Sequence, residues 1–72
     1  MDGYEGRLQL TLQVIRDYIV ERGYAPNLFE IAARRGYSHM TAKRHIAALQ
    51  ARGLLERDGI RHRSLRILVD HA

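Results

Sequence analysis

An α+β domain, three helices closed by a two-stranded β-hairpin, is the fold class that these 72 residues predict. Three observations predict it. Ala42, Ile46 and Leu49 recur at i, i+4 and i+7 behind a corner made by Gly36 and Tyr37, so two short helices meet around a tight turn. Asn27, followed three residues later by Glu30, has the pattern that caps and opens the first of those helices. Two apolar runs, 54–55 and 65–69, flank Asp58, Gly59 and a polar basic loop, as in a hairpin. Helix, helix-turn-helix, then basic hairpin is winged helix-turn-helix order.

Taken in order, residues 1–6 are polar, with two glycines, and read as a flexible tail. From Leu8 two periods compete. Leu8, Leu10, Leu12 and Val14 alternate with Gln9, Thr11 and Gln13, which is strand period. Leu8, Leu12, Ile15 and Ile19 also form a helical stripe, widened by Val14 and Tyr18. The following VIRDYIVERG is helical and Gly23 is a natural stop, so one core helix is expected over 7–22. Pro26 bars helix at Ala25. A second helix is expected over 28–35, ended by Gly36, which supplies the left-handed residue a tight corner needs. Tyr37 is expected to pack under that corner. Ser38 caps a third helix that runs to Arg52, with Gly53 ending it. A winged domain over 7–69 would then leave 70–72 as a C-terminal tail.

The chain holds no cysteine, which excludes disulfides and thiolate metal sites and fits a reducing cytoplasm. No apolar run reaches the length of a membrane span, and no signal peptide pattern opens the chain. Its net charge of +4 points towards a polyanion. Helix three has two faces. Ala42, Ile46 and Leu49 pack inwards, while Met40, Arg44, Ala47 and Ala51 fall near the opposite side. A helix presented this way on a basic domain is the arrangement that reads duplex DNA from the major groove.

The candidate DNA-binding residues follow. Ser38, His39, Met40, Thr41, Lys43 and Arg44 form the leading half of the recognition helix, 38–52. Arg44 and Lys43 have the donors for guanine O6 and N7, and Thr41 and Met40 have the methyls to touch thymine. Ala47 is small enough to let the helix sit deep. Over the wing, 57–66, Arg57, Arg61 and Arg63 are candidates for phosphates or an adjacent minor groove. Arg66 alternates with core positions and is expected to face solvent. The whole strip has a plainer use, as a charged edge that blocks sheet-to-sheet pairing. Asn27, at the start of helix two, is a further phosphate candidate. His39, His45, His62 and His71 show no i, i+4 pair and no thiolate partner, so no metal site is expected, and His45 reads as semi-buried and structural. No nucleophile–base arrangement or phosphate-cradling glycine loop appears, so neither catalysis nor a cofactor is expected.

The stretch RLQLTLQVIRDYIVERGYAPNLFEIAARRGY is similar to the opening of the DNA-binding domain of LexA-type SOS repressors. The shared features are VIRDYI, a G-x-x-P break, EIA, a Gly-aromatic corner, and H-I-x-x-L-x-x-x-G before the wing, and they span residues 7–68. The resemblance implies a repressor that occupies a promoter at the nucleoid. Three departures stand out. Arg35 takes a place that is usually apolar. The Ser-Pro-Asn-Ala-like start of the recognition helix is here Ser38, His39, Met40, Thr41 and Ala42, with one residue fewer. Two glutamates common early in that helix are replaced by Lys43 and Arg44. The family's self-cleaving Ser–Lys protease half has no counterpart in these residues. Ser38 and Lys43 stand about 140° apart around one helix and cannot form that dyad.

No dimerisation element is evident, so the expectation is a monomer alone and a dimer on DNA, paired by the site itself or by a C-terminal dimerisation domain beyond these residues. Two other functions stay open on the residues. One is a winged-helix protein–protein adaptor, favoured by Met40 and opposed by Lys43 and Arg44. The other is a nucleic-acid binder that works by charge without sequence preference.

Overall fold

A computed structural model describes residues 3–57 and 65–68. Three helices, α1 (Gly3–Arg22), α2 (Leu28–Arg35) and α3 (His39–Ala51), precede strands β1 (Leu55–Arg57) and β2 (Leu65–Ile67). The strands pair antiparallel, with Leu55 opposite Ile67, Glu56 opposite Arg66 and Arg57 opposite Leu65. This is the winged helix-turn-helix. The tip residues Arg61, His62 and Arg63, and the tail 70–72, lie outside the described residues.

Burial settles the conflict over residues 8–14 in favour of helix. A strand would place Leu8, Leu10 and Leu12 on one face. Instead Leu8, Leu12 and Ile15 are buried while Leu10 is exposed. The helix also begins four residues before the expected position, so 3–6 are its first turns and not a flexible tail. Distant partners hold these residues. Glu5 pairs with Arg52 beyond the end of α3. The Tyr4 ring packs edge-on to His45, 6.0 Å between centroids, and the Arg52 guanidinium lies over Tyr4. Gly3 and Gly6 are poor helix formers, and tertiary contact overrides that propensity.

α2 has the expected bounds. Asn27 Oδ1 accepts the Glu30 N–H at 2.9 Å, and Glu30 Oε1 accepts the Asn27 N–H at 2.8 Å, which closes the capping box. At the other end Gly36 takes φ +78°, and its N–H and that of Tyr37 both donate to the Ala32 carbonyl. Ser38 caps α3 by accepting the Thr41 N–H. α3 ends on a paired closure in which Leu54 N–H donates to Leu49 O and Gly53 N–H to Gln50 O, with Gly53 at φ +74°.

The core lies where the three helices and the base of the hairpin converge. Leu8 and Ile15 of α1 meet Ile31 of α2, Ala42, Ile46 and Leu49 of α3, and Leu55 and Leu65 of the strands. Each strand has only three residues, and an isolated two-stranded hairpin is marginal in water. Leu55 and Leu65 plug it into the helical core, and the Leu68 N–H donates to Leu54 O at 3.1 Å beyond the paired register.

Candidate nucleic-acid interface

α3 turns one face to the core and the other to solvent. Ala42, His45, Ile46 and Leu49 are buried; His39, Met40, Lys43, Arg44, Ala47 and Ala51 are exposed. Five of the expected contacts, His39, Met40, Thr41, Lys43 and Arg44, therefore share the leading half of α3, and Ser38 is its N-cap. Ser38, exposed, is tied to the cap, and its hydroxyl also donates to Thr41 Oγ1 at 3.3 Å. Thr41 is half-buried. Among the described residues Lys43 and Arg44 have no ion-pair or hydrogen-bond partner. Their charges are thus presented outwards, unlike those of Arg34, Arg52 and Arg66, which are held by Glu21, Glu5 and Glu56.

The remaining expected contacts separate. Asn27 is half-buried, and its Oδ1 is committed to the capping box, so its first duty is to open α2. Arg57 is exposed at the outer end of β1. Arg61 and Arg63 lie outside the described residues. Arg66 faces solvent, as its alternation requires, and bonds Glu56 directly across the hairpin at 2.6 Å.

Behind the presented face lies a buried polar cluster whose membership the sequence reading missed. Thr11 of α1 is fully buried. Its Oγ1 is 2.7 Å from the Tyr37 hydroxyl and 2.8 Å from His45 Nδ1, and Tyr37 lies 3.1 Å from the same nitrogen. Arg35 Nε donates to Thr11 Oγ1 at 3.3 Å, with its guanidinium over the Tyr37 ring. Arg35 can only donate. A consistent arrangement has Arg35 and Tyr37 donating to Thr11, and Thr11 donating to a bare Nδ1 on neutral His45. Burial first, then the charges of Arg35, Arg7 and Arg44, lowers the His45 pKa below 6.5 and favours that neutral form. The cluster joins α1, the helix-turn corner and α3, so it fixes how the recognition helix is carried. Tyr37 and His45 are each expected to pack inwards, but only a Thr inside an apolar stripe hints that Thr11 joins them. Arg35 is the member that supplies charge.

A second missed residue is Phe29. It is 65% exposed, and its ring lies 4.8 Å from that of His39, tilted by 36°. A helical wheel would have found it, because Phe29 falls off the stripe made by Leu28, Ile31 and Ala32.

A helix-turn-helix with an exposed basic recognition helix and a wing beside it defines the class of winged-helix nucleic-acid-binding domains. The LexA DNA binding domain model matches residues 1–64. The chain belongs to that family. It is 44% identical over 52 residues to LexA repressor 1 of Nocardia farcinica, covering 71% of this chain and 24% of that protein. It is 42% identical to the LexA repressor of Sorangium cellulosum, over 92% of this chain and 29% of that protein. The LexA repressor of Corynebacterium jeikeium is also 42% identical, over 82% of this chain and 22% of its own length. The chain thus spans between about a fifth and a third of the curated relatives it matches.

Proposed function

We propose that the chain is the sequence-specific duplex-DNA-binding module of a transcriptional repressor. α3 enters the major groove, and Arg44 and Lys43 hydrogen-bond base edges. Arg57, Arg61 and Arg63 hold the backbone or the adjacent minor groove, and Asn27 brings the start of α2 to a phosphate. The observation that carries this reading is the outward face of α3, where Lys43 and Arg44 have no partner among the described residues while the opposite face is locked into the core. The repressors it resembles support the same reading. Occupying a promoter would block transcription at the nucleoid. One such module buries roughly 600–1,000 Å², a modest interface. Two copies on a palindromic site, paired through DNA or through a further domain, would raise the affinity.

Selection from a random duplex library, followed by anisotropy titration of the enriched site across a salt series, tests this. A convergent motif with a steep salt slope is expected. Binding without enrichment would identify a charge binder, and no duplex binding at all would favour a protein partner.

A further inference from the structure

Phe29 and His39 come from different helices and meet in the open. Phe29 is the second residue of α2 and His39 the first of α3. Their rings approach to 4.8 Å, yet both residues are exposed and neither belongs to the buried core. Keeping a phenyl ring 65% exposed forgoes burial that Phe usually gains. Its placement bears on what covers it. His39 lies about 40° from Lys43 and about 80° from Ala47 around α3, so the stack borders the presented stripe. Arg44 marks the other border, about 140° from His39. The paired rings are therefore continuous with the face assigned above to the major groove.

Chemistry narrows what this surface can recognise. Phe29 has no hydrogen-bonding group, so it has little to offer a phosphate or a base-edge donor. The apolar feature of the major-groove floor is the methyl at C5 of a pyrimidine. Small Ala47 lets the helix approach, and the cationic groups of Lys43 and Arg44 hold the duplex against the same face. On the reading that α3 occupies the major groove, we propose that the Phe29–His39 stack is a specificity element that recognises a C5-methylated pyrimidine, thymine or 5-methylcytosine. Phe29 supplies the apolar surface, and His39 holds its ring towards the groove.

The test begins from the selected duplex. Each thymine is replaced singly by deoxyuridine, which removes only the methyl, and each cytosine by 5-methylcytosine. Affinities are measured for the wild-type chain, Phe29→Ala and His39→Ala, with thermal melts confirming that the variants fold. At one or two positions, removing the thymine methyl, or lacking the cytosine methyl, is expected to weaken wild-type binding about fourfold, the worth of one buried methyl. Phe29→Ala is expected to erase that difference, and His39→Ala to reduce it. A methyl effect of equal size in Phe29→Ala, or none in the wild type, overturns the inference while leaving sequence-specific binding intact. Failure of the library to yield any motif overturns the major-groove reading itself, and this inference with it.

Discussion

His45 Nδ1 lies 2.8 Å from Thr11 Oγ1 on the buried side of α3, with Arg35, Arg7 and Arg44 contributing charge around it. Its pKa is lowered in the folded state, so below about pH 6.5 the unfolded chain binds the extra proton more readily. The stability it confers is complete above that pH. It is lost as pH falls from there through the lower folded value. Urea unfolding at pH 7.5 and pH 5 should show the wild type weakening with acid and His45→Gln weakening less, since glutamine can accept from Thr11 without titrating. Parallel losses in both would show that another group titrates. On the outer face of the same helix, Arg44→Ala should cost about 1–3 kcal/mol on the selected site and leave random duplex nearly unchanged. If the ratio between the two duplexes holds, Arg44 does not read bases.

The elements were legible where their determinants are local. α2 is bounded by a capping box between Asn27 and Glu30 and by a left-handed glycine directly after its last residue, both patterns that a few neighbouring residues supply. Gly36 at φ +78° has open space where a Cβ would be built. Gly36→Ala should therefore destabilise through backbone strain alone, by about 1 kcal/mol, read as a lower urea midpoint with an unchanged slope. The start of α1 was not legible because its support is distant: Glu5 finds Arg52, and Tyr4 finds His45. Thr11 was hidden for the same reason. Its partners, Tyr37 and His45, are 26 and 34 residues away, and no pattern around Thr11 announces them. Phe29 is the opposite case. Its helical phase marked it as off the core stripe, but only the fold brings it to His39. The outward face of α3 was readable from periodicity, although nothing in that period says which side chains touch a base.

At the scale of the molecule, the proposed duplex binding would weaken with salt in proportion to the phosphates its cationic side chains neutralise. Replacing Arg61 and Arg63 together with alanine should weaken selected and random duplexes alike. It should also flatten the logarithmic salt slope by about one unit per lost phosphate contact. An unchanged slope would give those arginines a structural role. The core that carries both α3 and the wing is small, so stability is a few kcal/mol and no element stands alone. That economy has a geometric result. Between Ala51 and Leu55 the chain has three residues, and the N–H of each is bonded back into the last turn of α3. Leu55 and Leu65 then pin the hairpin base from below. Helix and hairpin are thereby joined as the two arms of a fixed caliper. On the proposed reading, the protein would set the distance between the groove floor and the flanking strand contacts, and a binding site would have to match that span. Two glycines inserted after Gly53 would loosen the jaw. Footprinting would then show protection by the helix unchanged and protection by the wing blurred over neighbouring positions.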